Sequence, residues 1–490
     1  MQGAIWSYGG FLASKGVLFV ATLLLARLLS PADFGVVGMA LLVITVFDIL
    51  RDFGIGSALI QRSRDTAAAA DMAFVLSTAL GFVLFALNWV LAPLVTQFFQ
   101  VTDPSQAELL PWLVRVLGLT LIFSSLGGTQ DALLQKQLDY RSRTLPEVGR
   151  TGVKGIISVG LALAGWGVWS LVLGQVLGEA CATVLLWIVS RWRPTFKLDF
   201  ALLRPITSYG TQIMFVGGLG WLLSDVDYLI IGRLLGDVSL GIYTLAYRIP
   251  ELIVRNLAQA VSNVAFPVAA KLQEDRAALR KAYLDMQHYM LLILAPLGFG
   301  LYAVTPALVR ILFGAKWLAA IPVMELLSIY MVLGGVGHWP GVVYKAVGRP
   351  DILSRLSVVK LVLLVPTLWW AASAYGIVGV GWGQLIVRVI TIFIDMVVVA
   401  RFVNVSVIAN LGRIWPPFAA SIIMVVAVRA VFLLDPAEAS PLILILAIIV
   451  GGLTYAAAAY LFDRRAITML LDTALGMLRR RRTPAAVREA

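Results

Sequence analysis

The chain has 490 residues, 60% of them hydrophobic and only 13% charged, with a mean hydropathy of +0.90 and a formal net charge of +12. So apolar a composition excludes a water-soluble globular enzyme, and the basic surplus, scattered between apolar stretches or gathered in the tail at 479–482, does not form a nucleic-acid-binding face. The single cysteine, Cys181, excludes an internal disulfide and any cysteine metal site.

Taken in chain order, apolar length and breakers give about 14 membrane spans. They centre near Val17, Val43, Phe82, Leu119, Ser158, Gly178 and Gly218 in the first half, and near Val254, Ile293, Tyr330, Val362, Arg388, Ser421 and Val450 in the second. The first runs on past Arg27 without a small-residue cleavage site and is read as a span, not a removable leader. With the N-terminus inside, the inner breaks carry Arg62 and Arg64; Lys136, Arg141 and Arg143; Arg191, Arg193, Lys197 and Arg204; Lys271, Arg276, Arg280 and Lys281; Lys345, Arg349 and Arg355; Arg401; and the basic tail. The outer breaks hold only Arg27, Arg233 and Lys316. Lysine and arginine collect on the cytoplasmic side of membrane proteins, so both termini are expected in the cytoplasm.

The chain also repeats itself. ARLLSPADFGVVGMA from Ala26 aligns with GRLLGDVSLGIYTLA from Gly232 at a shift of 206 (Arg27 to Arg233), matching Gly35 to Gly241 and Ala40 to Ala246. GWGVWSLVLGQV from Gly165 aligns with AYGIVGVGWGQL from Ala374 at a shift of 209 (Gln175 to Gln384), matching Gly167 to Gly376 and Gly174 to Gly383. A duplication of six spans keeps both copies in the same sense across the membrane, related by an axis along its normal. The expected fold is therefore an all-α polytopic membrane protein. Two six-helix lobes, residues 1–195 and 196–403, are followed by two further spans at 404–466 and a basic tail at 467–490.

Ionisable groups inside a bilayer are costly, about 2.5 to 3.5 kcal/mol each on insertion scales, and normally face a bundle interior or a watery cavity. Here they come in triads: Asp48, Arg51 and Asp52 on the second span, Glu147, Arg150 and Lys154 on the fifth, Arg248, Glu251 and Arg255 on the eighth. Helical spacing puts each of the last two on one stripe. Lys15, Arg115, Lys360 and Arg388 add cations, and Asp225 and Asp227 add anions. Two readings follow. The triads either pair internally and only fix helix packing, or line a cleft whose surplus of cation binds a phosphate or carboxylate through charge-assisted hydrogen bonds. Glycine clusters at 127–128, 217–220 and 334–341 suit either helix bending or close packing. No phosphate-binding GxxxxGK[ST] loop is present, and the two histidines, His288 and His338, have no metal-ligand spacing, so no enzymatic activity and no cofactor are expected.

ARLLSPADFGVVGMA followed by VFDILRDFGIGSALIQR, then DVDYLIIGRLLGDVSLGIYTLAYRI and AFPVAAKLQED, closely resemble the Wzx-type oligosaccharide flippases of the multidrug/oligosaccharidyl-lipid/polysaccharide exporter superfamily, in the branch associated with exopolysaccharides such as colanic acid. The resemblance covers roughly the first 400 residues. It implies a bacterial inner-membrane protein that moves undecaprenyl-pyrophosphate-linked oligosaccharide repeat units outward by alternating access, amid membrane lipids and alongside polysaccharide polymerase and export machinery. By position, Arg51, Arg248 and Arg255 are the candidate substrate ligands, with Lys15, Arg150, Lys154 and Lys360 as supporting charge. Asp48, Asp52, Glu147, Asp225 and Glu251 are candidates for coupling to H+ or Na+. The extra pair of spans departs from the simpler twelve-span pattern and matches the related lipid II flippases. A lipid II-type flippase, a multidrug exporter of the superfamily with a net acidic cleft, and a membrane-embedded glycosyl- or phosphotransferase are the alternatives.

Overall fold

The computed structural model describes residues 16–62, 66–196, 199–255, 257, 271–272, 274–464 and 466–468. Lys15, Arg64, Lys197, most of AFPVAAKLQED and the basic tail lie outside the described residues. The helices, in chain order, are α1 (Gly16–Leu28), α2 (Pro31–Asp52), α3 (Ile55–Gln61), α4 (Thr66–Phe98), α5 (Pro104–Leu117), α6 (Leu119–Lys136), α7 (Tyr140–Leu163) and α8 (Val168–Val189). The second half holds α9 (Leu203–Leu234), α10 (Gly236–Pro250), α11 (Arg276–Leu308), α12 (Ile321–Ala346), α13 (Pro350–Val403), α14 (Val407–Phe432) and α15 (Pro441–Phe462). All 14 expected span centres fall in helix. Among the described residues, nine helical stretches are long and apolar enough to cross a membrane, with α5 and α6 forming one of them. At about 1.5 Å per residue, the 54 residues of α13 would extend for about 80 Å, far beyond the roughly 30 Å of a bilayer core. It is two helices meeting at Gly376, whose backbone is not helical.

Local chemistry sets several of these boundaries. Ser30 and Asp33 form a reciprocal cap on α2: the Asp33 amide donates to Ser30 Oγ at 3.2 Å and the Ser30 amide to Asp33 Oδ2 at 2.9 Å. Pro31 fits the first turn, where no amide hydrogen is needed. The helix stops at Phe53 and Gly54, both left-handed, so α3 leaves in a new direction. Before α7, the Ser142 hydroxyl and amide bond to Asp139 and hold its carboxyl below the usual carboxylate range.

The sequence repeat is also a repeat of backbone and contacts. The matched glycines Gly167 and Gly376 share one conformation, φ 51°, ψ −129° and φ 61°, ψ −149°, which L side chains rarely adopt. Each opens a helix that packs back on its predecessor through the next matched glycine. A Cβ on Gly174 would stand 1.9 Å from Ser158 Oγ, and one on Gly383 would meet Leu368 at 2.9 Å and Thr367, the counterpart of Ser158, at 3.5 Å. At Gly167 and Gly376 themselves a Cβ would meet nothing within 4 Å. Gly167→Ala and Gly376→Ala should therefore cost only backbone strain, about 1–3 kcal/mol each, read as similar drops in thermal unfolding midpoint in detergent.

Contacts between the two copies are reciprocal. A Cβ on Gly35 would lie 1.8 Å from the Asp237 carbonyl oxygen, and one on Gly241 would lie 1.8 Å from that of Pro31, the counterpart of Asp237. Arg27 Nε donates to the Leu312 carbonyl at 2.6 Å; its counterpart Arg233 donates to that of Phe98, also at 2.6 Å. The Ala26 carbonyl accepts from Trp317 Nε1 at 2.8 Å, and that of its counterpart Gly232 accepts from the Gln100 amide at 3.2 Å. These are the self-complementary pairings of a twofold axis.

By contacts the chain forms two compact units, one of Met1–Leu245, Leu312–Ala320 and Val359–Gly383, the other of Ala246–Ile311, Ile321–Val358 and Gln384–Ala490. In the second, the last two helices are held to α11 and α12. Met424, Val428 and Phe432 of α14 pack with Ala303 and Ala307 of α11 and Ala447 of α15. At one end Arg429 pairs with Glu325 at 2.7 Å, and Glu438 takes Arg310 at 2.5 Å and Arg429 at 3.6 Å. At the other, buried His288 contacts the Arg413 carbonyl through Nδ1 at 2.6 Å and Asp463 through Nε2 at 2.5 Å.

Candidate functional site

In the first unit, α2, α3, α6, α7 and α8 enclose a polar cavity of about 550 Å³, within the range of small-molecule sites. Its charged lining is Asp48, Arg51, Asp52, Asp131, Arg150 and Glu179. Helical stripes put these groups there: Asp48, Arg51 and Asp52 at the end of α2; Gly127, Gly128, Asp131 and Gln135 along α6; Gln175, Glu179 and Thr183 at steps of four along α8. A Cβ on Gly128 would stand 3.7 Å from Arg51 Nη1, at ordinary van der Waals distance, while Gly127 packs against Leu186 and Thr183 of α8. No aromatic ring is among the described lining residues.

Both arginines of the lining are engaged by carboxylates. Arg51, its side chain 10% exposed, donates through Nε to Asp48 at 2.8 Å. Arg150 spans two glutamates, reaching the exposed Glu147 at 3.2 Å and Glu179, 11% exposed, at 3.1 Å. Glu179 also accepts from Ser124 Oγ at 2.9 Å. Asp131 is held from behind by Arg143, with two bonds of 2.8 and 3.1 Å. Asp52 is exposed to the cavity and lies in no ion pair within 4 Å among the described residues. Among the described residues the lining thus carries four carboxylates against two guanidiniums, an excess of two negative charges. The reason is composition across helices: Asp131 and Glu179 come from α6 and α8, and the triads counted on single helices did not include them.

The remaining expected residues are distributed as follows. Glu147 is tied to the site through Arg150 but does not line it. Lys154, one turn beyond Arg150, is half-buried against Gly178, and Lys360 is half-buried on α13; neither lines the cavity. Asp225 is half-buried on α9, beside Asp227, which accepts from Tyr243 Oη at 2.7 Å. In the second unit, Glu251 bridges Arg248 at 3.1 Å and Arg255 at 3.2 Å. Pro250 has no amide hydrogen to donate, and α10 widens there into a π turn over Glu251–Arg255. This triad keeps one net positive charge, with the Arg255 side chain 51% exposed. Arg388, singled out as a cation on the twelfth span, donates to Tyr330 Oη at 2.6 Å and lies over its ring at 4.4 Å.

Sequence reasoning proposed neither Asp131 nor the amides Gln135 and Gln175 as site residues, and Gln175 entered it only as the repeat partner of Gln384. The signal was available: on α6 and α8, polar or glycine positions recur every three or four residues within apolar sequence.

Residues 24–322 match the family described as "Polysaccharide biosynthesis protein". The teichuronic acid biosynthesis protein TuaB of Bacillus subtilis (strain 168) is 31% identical over 76% of this chain and 77% of its own length. The succinoglycan biosynthesis transport protein ExoT of Rhizobium meliloti (strain 1021) is 26% identical over 96% of this chain and 94% of its own. Among solved structures, the lipid II flippase MurJ in an inward closed conformation superposes with a TM-score of 0.76 at 14% identity, covering 94% of this chain and all of that one, a likeness of fold. Family match and relative together make the chain, a multi-pass membrane protein, a member of the polysaccharide biosynthesis protein family.

Proposed function

We propose that this protein is a flippase, not an enzyme, that moves undecaprenyl-pyrophosphate-linked oligosaccharide repeat units across the bacterial inner membrane for exopolysaccharide or capsule assembly. The observation that carries the reading is a polar cavity of about 550 Å³ among membrane helices, in a chain of a polysaccharide biosynthesis family. Its relatives include a succinoglycan biosynthesis transport protein, and its fold is that of a lipid II flippase. In this reading the cavity of the first unit takes sugar, whose hydroxyls its carboxylates and amides can bind. The triad Arg248–Glu251–Arg255, positive by one charge, is the candidate for binding the diphosphate, with Arg51, Arg150, Lys15, Lys154 and Lys360 as secondary cations. Asp48, Asp52, Glu147, Asp225 and Glu251 are the groups through which an H+ or Na+ gradient would act. The charge of the breaks supports cytoplasmic termini. Polymerase and export machinery are the expected neighbours.

Deleting the gene should strand lipid-linked repeat units on the cytoplasmic leaflet, where they stay inaccessible to an external glycan-oxidising reagent in intact spheroplasts, and polymer output should cease. Normal polymer with no such accumulation would overturn the proposal. One observation favours a second reading, export of organic cations: the cavity is acidic by two charges. That reading requires the deletion strain to lose cation efflux while polymer output is unchanged.

A further inference from the structure

The cavity is a mixed-charge site whose balance bears on what sugar it accepts. An ionised carboxylate only accepts hydrogen bonds, so a ligand group that satisfies it must be a donor. Hydroxyls and ammonium groups qualify, and their bonds to carboxylates are of the stronger, charge-assisted kind. A ligand carboxylate offers the reverse: it needs an unengaged guanidinium, and Arg51 and Arg150 are already bonded to Asp48, Glu147 and Glu179. Including the partners just outside the lining, Glu147 and Arg143, leaves the balance unchanged at two negative charges in excess. Gln135, Gln175 and Ser57 add polar groups suited to hydroxyls, so that among the described residues, none of the lining ones aromatic, recognition falls to hydrogen bonds.

Resting on the flippase reading, we propose that the cavity formed by α2, α3, α6, α7 and α8 selects repeat units whose sugars are neutral or amino-bearing, and discriminates against uronate or other carboxylated sugars. Asp52 is the residue that sets this choice most directly, because its charge faces the cavity without an ion-pair partner within 4 Å among the described residues.

The test uses the full-length protein in proteoliposomes with three polyprenyl-pyrophosphate trisaccharides identical except for one sugar: glucose, glucosamine or glucuronate. The glucose and glucosamine lipids should cross roughly tenfold faster than the glucuronate lipid, the effect of one like-charge contact at intermediate distance and dielectric. Measured as downhill equilibration with no ion gradient imposed, so that the coupling role proposed for Asp52 does not enter, Asp52→Asn should narrow that ratio several-fold, and because the side chain is exposed the variant should fold; Asp52→Glu should restore it. Equal or faster transport of the glucuronate lipid would overturn the inference while leaving the flippase reading intact. A ratio unchanged in Asp52→Asn would also overturn the assignment to this cavity. Failure of all three lipids to cross would overturn the flippase reading itself, and the inference with it.

Discussion

Gly35→Ala and Gly241→Ala should each lower stability by about 2–3 kcal/mol or more, and by similar amounts. A methyl at either position would sit 1.8 Å from a backbone carbonyl oxygen, of Asp237 in one case and Pro31 in the other. No rotamer change relieves a clash between a Cβ and a main chain, so the helices must part, and overpacking of this kind ordinarily costs about 1–3 kcal/mol even where side chains can yield. The intrinsic helical gain of alanine over glycine, up to about 1 kcal/mol, offsets only part of that. Gly160→Ala, where a Cβ meets nothing within 4 Å, is the matched control and should be neutral or stabilising. Thermal unfolding in detergent, followed by size-exclusion chromatography, measures all three. If Gly35→Ala melts with the control, the two main chains do not approach as described.

Arg255→Glu should abolish transport while leaving the protein in the membrane. The substitution turns the triad with Arg248 and Glu251 from one net positive charge to one net negative, and the side chain is exposed enough that the helix need not move to accept it. Against the diphosphate proposed for this triad, reversal of a unit charge at contact distance and intermediate dielectric is worth several kcal/mol, so translocation of a fluorescent lipid-linked oligosaccharide should fall roughly a hundredfold or more. Arg255→Lys keeps the charge and loses the planar fork, and should retain a measurable fraction of activity. Membrane abundance by immunoblot separates lost function from lost protein. Wild-type transport by Arg255→Glu would take the triad out of the substrate path.

Much of the fold was legible because the bilayer imposes a single strong rule on each span. Apolar length placed every span centre in a helix, and Gly-Gln and Arg-Leu-Leu steps revealed a duplication whose matched glycines, Gly167 and Gly376, turn out to share one strained backbone conformation. The site was legible only helix by helix. Spacing showed that Asp48 could reach Arg51 and that Glu251 could reach both Arg248 and Arg255, because those pairs lie within one turn or so of each other. It could not show that Glu179 from α8 meets Arg150 from α7, or that Arg143 turns back to Asp131, since those meetings depend on how helices pack. The acidic balance of this cavity depends on those partners from other helices, which a count of charges along single helices leaves out.

The reciprocal pairing of Arg27 with Leu312 and Arg233 with Phe98 has an ancestral implication. A junction in which each partner offers the same arginine to the other's carbonyl requires only one kind of polypeptide, so a half-length forebear could have assembled as a homodimer before gene fusion. Once joined, the halves were released from having to be identical. One position of the junction then became Pro31 and its equivalent Asp237, which accepts from the Thr102 amide at 2.9 Å, a bond that proline has no carboxylate to make.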